Sequence, residues 1–284
     1  RWGIVAVLLV DAVTFVIAVT ATAITPFGSR VAQPATSRCA PDGERVEVGW
    51  SPVRAWLRGP GTGILWLLGL IATVNLCLGF FNVALVATVT SIDETSAGLP
   101  LAAGGLSMLA ASLALGRWGL PGRRVPAITS GLLALAMGCA ITGVRPSLAL
   151  VSLGMAIALA GVPVVSATSV TLLHERVPAD LHGRMFALSG GVSRALDPIG
   201  AVVAGVLIAA FTEPAMATDG ALDHSVGVVL GTGHGRGAAL VCVVVGLVLA
   251  IVAGLVHSAR SLRQFDDPPE QEDVELSASR CAVS

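Results

Sequence analysis

Residues 148–173 read LALVSLGMAIALAGVPVVSATSVTLL, a run of twenty-six without one charge. An α-helix needs about 20 apolar residues to cross the hydrocarbon of a bilayer, since each residue adds about 1.5 Å of rise. This run has that length, and membrane helices tolerate its Gly and Pro. Working outward, the rest of the chain repeats the pattern. Before it lie Gly3 to Thr25, Gly63 to Val89, Gly98 to Gly116 and Val125 to Thr142; after it lie Met185 to Phe211 and Ala238 to His257. The expected fold class is all-α, a polytopic membrane helix bundle of about seven transmembrane helices. The whole chain is 54% hydrophobic and 12% charged, with a mean hydropathy of +0.83. A soluble domain carries about 25% charged residues, so a lipid bilayer is the first partner the sequence implies.

The loops carry an orientation. Arginines crowd alternate connections: Arg30, Arg38, Arg45, Arg54 and Arg58 in Pro26–Gly61, then Arg117, Arg123 and Arg124, then Arg176 and Arg184, then Arg260 and Arg263. The intervening connections hold Asp93 and Glu94, then Arg145 alone, then Glu213, Asp219, Asp223 and Arg236. By the positive-inside rule the N-terminus lies outside and the long first loop and the tail lie in the cytoplasm. The expected domains are a first transmembrane helix (1–25), a cytoplasmic loop (26–61), a six-helix bundle (62–257) and a disordered, acidic cytoplasmic tail (258–284). Within the loop, Trp50, Val53, Trp56 and Leu57 alternate with Arg54 and Arg58. That pattern describes either a helix lying in the membrane interface or a solvated loop. The chain starts at Arg1 and enters an apolar run at once, without a basic leader. We expect a fragment of a longer protein.

Several classes are disfavoured. The net charge is -1, which offers nothing to a nucleic acid. No G-x-S-x-G, H-E-x-x-H or Walker loop occurs, so an enzyme is not expected, and no cofactor or metal is implied. Cys77, Cys139 and Cys242 sit in apolar runs as small hydrophobes. Gly231-Thr232-Gly233-His234-Gly235 is not followed by a nucleotide-binding unit and reads as a flexible connector. All 17 basic residues are arginine, and with the abundant Ala, Gly and Val this suggests the coding bias of a GC-rich bacterial genome.

Charges inside spans are the functional pointers. Each costs about 2.5–3.5 kcal/mol at a helix centre on insertion scales, so it faces a cavity or a partner. Asp11 lies mid-way through the first run, and Arg194 and Asp197 lie within the sixth. A spacing of three puts Arg194 and Asp197 on one face, close enough to pair. Either the two form a neutralising pair for packing, or the charges are functional: Asp11 or Asp197 exchanges a proton, or Arg194 orients an anionic group. Asn75 and Asn82, seven apart in the second run, share a face and line a polar path or bond to another helix. Gly104, Gly105, Gly154, Gly161, Gly190, Gly191, Gly200 and Gly205 allow close backbone approach. Pro163 and Pro198 interrupt the fifth and sixth runs, as happens in transporters.

Three stretches resemble the C-terminal portion of a major facilitator superfamily transporter, in the branch of drug, macrolide and siderophore exporters. Leu9-Val10-Asp11-Ala12-Val13-Thr14-Phe15 resembles the sixth-helix pattern D-A-x-[ST]-F. Residues 177–188, VPADLHGRMFAL, resemble the family's loop V-P-x-x-x-x-G-R-[VM]-F between its tenth and eleventh helices, on Pro178, Gly183 and Arg184. Pro198-Ile199-Gly200 with Gly205 is similar to P-[LI]-G…G of the eleventh helix. Two features depart from the pattern. Arg117, Arg123 and Arg124 keep the basic part of the G-x-x-x-D-R loop without its Asp, and Arg194 and Asp197 stand where the family has apolar or small residues. The resemblance implies helices six to twelve of a twelve-helix carrier in the cell membrane. It implies proton-coupled efflux of a small organic molecule, with a small-molecule substrate, protons and the preceding helices as partners. Two rival readings stand beside it: a seven-helix receptor or sensor, and a non-functional transporter fragment.

Overall fold

A computed structural model describes Ala12, Val13, Phe15, Val16, Val19, Thr20, residues 50–59, 61–93 and 98–217, Gly220, Leu222 and residues 226–258. The chain forms two units, Arg1–Val48 and Gly49–Ser284. In the first, the described residues are helical, and Thr20 Oγ1 donates back to the Val16 carbonyl at 2.7 Å. They fall inside the first predicted span. Asp11 lies outside the described residues, as do the segments 21–49 and 259–284.

The second unit contains α1 (Ser51–Arg58), α2 (Thr62–Ile92), α3 (Gly98–Trp118), α4 (Arg124–Val144), α5 (Leu148–Arg176) and α6 (His182–Leu207). A π-helical turn, Ile208–Thr212, carries α6 into the short α7 (Glu213–Ala215); α8 (Gly227–Leu230) and α9 (Arg236–Ser258) follow. Among the described residues, six helices are long and apolar enough to cross a membrane: α2 to α6 and α9. No strand occurs among the described residues. The fold is an all-α polytopic bundle, and the six spans lie where hydropathy put them. Local chemistry sets their ends. Arg145 and Val177 each precede a proline, which disfavours helical backbone. Both are extended, and α4 and α5 stop there. Gly119, at φ 76°, turns the chain out of α3.

Each long helix has a dominant partner, and the spatial order of neighbours is α3–α5–α4–α9–α2–α6. Small residues make the closest approaches. A Cβ on Gly138 would meet the backbone of Gly154 and Ala158 across α4 and α5. One on Gly143 would meet Ala239 in α9, and one on Gly104 would meet Met155. Between α2 and α6, Gly79 and Gly200 face each other over backbone carbonyls. Such contacts suit helices in lipid, where hydrophobicity gives little reason to associate and backbone approach supplies the packing. Gly205, Gly190 and Gly191, expected at contacts, have open space beside them.

The neighbour order has a symmetry. Exchanging α2 with α5, α3 with α6 and α4 with α9 turns the pair α3·α5 into α6·α2 and α4·α5 into α9·α2, and returns α4·α9 to itself. The order of neighbours is thus kept when the first three long helices are exchanged with the last three, although α4 packs on α5 far more extensively than α9 does on α2.

Two loop expectations are sharpened. Residues 51–58 are helical, with Val53 and Leu57 buried in the core and Arg54 and Arg58 exposed. The Gly-rich connector is not slack. Gly231, Gly233 and Gly235 all take positive φ, and Gly233 N–H donates to Met216 at 3.0 Å. The Glu213 carboxylate accepts from the N–H groups of Gly235 and Gly237, capping α9, and His234 Nδ1 lies 3.4 Å from it. Arg236, read from the sequence as a loop residue, begins α9 at 5% exposure and donates to the Val144 carbonyl at 3.2 Å.

Candidate functional site

Helices α5 and α6 scarcely touch, because α6 packs on α2 while α5 packs on α3 and α4. The gap between them is a half-open groove of about 290 Å³ floored by α2. Its polar lining is Asn75 from α2, Ser166 and Ser169 from α5, and Ser189 and Ser193 from α6. Spacings of three on α5 and four on α6 put each serine pair on one helix face. Ile71, Val74, Val165, Val170 and Leu173 complete the walls.

Asn75 Nδ2 donates to the Ile71 carbonyl at 2.8 Å and crosses to Ser193 Oγ at 3.3 Å. The interhelical bond expected of this side chain is therefore present, and it tethers α2 to α6. Asn82, two turns along the same face, is exposed. Arg194 is exposed and Asp197 half-buried. They do not form the expected ion pair: among the described residues the salt bridges are Arg124–Glu175 and His234–Glu213. Arg194 is turned outward, while the backbone carbonyl of Asp197 lies at the Gly79 crossing. Pro198, exposed one residue on, lacks the N–H that would bond the Arg194 carbonyl.

The loop residues gather at one end of the bundle. Arg124 bridges to Glu175 at 2.6 Å, tying the start of α4 to the end of α5, while Arg117 and Arg123 are exposed. Pro178 and Gly183 are exposed and Arg184 is half-buried; the Pro178 carbonyl accepts from Leu181 N–H at 2.9 Å as α6 begins. His174, His182 and Phe186 stack there, with ring centroids 4.5–6.2 Å apart.

Sequence reasoning missed the four serines of the groove. Serine is neutral and common in such runs, so only the i,i+3 and i,i+4 spacing marked it. It also missed Glu213, whose signal is an acid placed before a Gly-rich helix start. No protein family, no curated protein and no solved structure matches the chain. Among the described residues, fold and groove alone define its class: an all-α bundle with six helices of membrane-crossing length and a serine-lined groove between helices.

Proposed function

We propose that this bundle is one half of a secondary transporter, an exporter of a small organic molecule driven by protons, as the family resemblance implies. The observation that carries the reading is Arg194, a charge exposed on the outer face of a mid-membrane helix. Against lipid it would cost about 2.5–3.5 kcal/mol. Water or another protein face beside α6 removes that cost, and a carrier made of two rocking bundles around a midplane cleft supplies both. The three-plus-three exchange of neighbours supports the reading, since inverted three-helix repeats recur inside the halves of such carriers. In it, Asp197 exchanges the proton, Arg194 lies on the face of α6 turned away from α2, and the groove beside Asn75 and Ser193 takes the substrate.

The test is proton-driven flux by the full-length protein in vesicles. Asp197→Asn is expected to abolish proton movement coupled to efflux, and Arg194→Gln to slow it severely while leaving expression unchanged. Undiminished proton-driven efflux in both variants removes these residues from the mechanism. Transport by vesicles containing this chain alone would overturn the half-carrier assignment.

A further inference from the structure

We infer that the groove between α5 and α6 binds a small, uncharged, hydroxyl-rich molecule. This names the substrate class for the transport site above and rests on that reading for the molecule's passage, though not for its binding.

The first argument is an orphaned hydroxyl. Hydroxyls in these spans ordinarily satisfy themselves by bonding back to a carbonyl three or four residues earlier. Thr73, Thr88, Thr129, Thr142, Thr168 and Thr171 all do so, at 2.7–2.9 Å. Ser169 stands between two of them and, like Ser152 and Thr212, does not; of these three, Ser169 is the one that lines the groove. It is 3% exposed, lines the groove, and its Oγ has no hydrogen-bond partner. A buried polar atom left without a partner is costly, and native proteins rarely leave one. A hydroxyl on a bound molecule, free to donate or accept, satisfies it.

The second argument is charge. Every polar group lining the groove is a hydroxyl or a carboxamide, and neither Arg194 nor Asp197 lines it. An ion entering would shed its water with no counter-charge to meet it. Hydroxyls and carboxamides both donate and accept, which suits a partner rich in hydroxyls. The third argument is size and wall chemistry. At about 290 Å³ the groove sits at the bottom of the range for small-molecule sites. The apolar walls at Ile71, Val165 and Leu173 offer a surface for the carbon face of a small ring.

The test is equilibrium binding to the full chain in lipid nanodiscs, read by calorimetry and by ligand-dependent thermal stabilisation. The probes are myo-inositol and glucose, with glucose phosphate and tetramethylammonium as charged counterparts. The uncharged pair is expected to bind saturably, and the charged pair at least about tenfold more weakly. Ser169→Ala should weaken inositol binding about tenfold, the worth of one buried hydrogen bond. Ser112→Ala, whose hydroxyl bonds back within the exposed face of α3, should change nothing. If Ser169→Ala fails to fold, Ser189→Ala probes the same groove from α6. The proposal is overturned if neither uncharged probe binds saturably, which would leave the groove to water. It is equally overturned if a charged probe binds as tightly, or if binding ignores both serine variants. Failure here and failure of the transport reading look different. Inositol binding without flux from the full-length protein sinks transport and keeps the site. Proton-driven flux of a charged cargo without inositol binding does the reverse.

Discussion

Helices α4 and α6 are almost equally apolar, yet the bundle uses them in opposite ways. Helix α4 buries twelve of its 21 residues, whereas α6 buries three of its 26. Helix α4 lies between α5 and α9, with Gly131, Gly138 and Gly143 set against neighbouring backbone or side chains. Helix α6 lies at the end of the neighbour order and buries Met185, Gly200 and Ala204; its outer side carries Arg194 and the exposed Pro198. Hydropathy decides that a segment spans. Which face meets another helix is decided by where the small residues sit, because lipid tails and leucines are equally good company.

The largest expected effect tests that distinction directly. Gly138→Leu would drive a side chain into the backbone of Gly154 and Ala158. Overpacking of a well-packed core costs about 1–3 kcal/mol, and more where backbone is the obstacle. We expect a large drop in thermal stability in detergent, or loss of the monodisperse folded species. Gly205→Ala on α6 meets open space. Alanine is the better helix former by up to about 1 kcal/mol, so this variant should be neutral or slightly stabilised. Equal damage from both would break the comparison, because it would mean that α6 is packed as tightly as α4.

The contrast also explains what the sequence could and could not reveal. Spans longer than about 20 apolar residues declare themselves, and the boundaries of α2 to α6 and α9 follow from Pro146, Pro178 and the charged turns. Asn75, one of two amides in an apolar run, was legible as a group needing a partner across the bundle, and it has one in Ser193. The serine groove was not legible, because its lining comes from three helices whose neighbours depend on crossing geometry. The pairing of Arg194 with Asp197 was expected from spacing alone. It is not formed because a shared face makes the contact possible without fixing the side-chain rotamers that would close it. The Gly-rich turn looked slack because its anchor, Glu213, is more than twenty residues from Gly237 in sequence.

That anchor gives the next effect in size. Glu213→Ala strands the N–H groups of Gly235 and Gly237 at the start of α9. Losing a helix cap costs about 0.5–2 kcal/mol. Amide hydrogen exchange should quicken in the first turn of α9 and stay unchanged at the α4–α5 crossing. Glu213→Gln, which keeps an oxygen acceptor, should recover part of the loss. Protection unchanged in Glu213→Ala would mean that Arg236, bonded to Val144, holds this end of α9 without the carboxylate.

The smallest effect belongs to the Arg124–Glu175 bridge at the other end of α4. Its 2.6 Å separation looks strong, but the two side chains are 21% and 35% exposed. A pair this open to solvent is screened and contributes about 0–1 kcal/mol. Arg124→Ala alone should therefore shift unfolding slightly, and the shift should shrink as salt rises above physiological strength. A double-mutant cycle with Glu175→Ala isolates the coupling. A value well above about 1 kcal/mol that survives high salt would place this end of the bundle in a less polar setting than open water, such as among lipid headgroups. The tight attachment of α4 would then draw on its ends as well as on its glycines, and the difference between α4 and α6 would cease to be one of small residues alone.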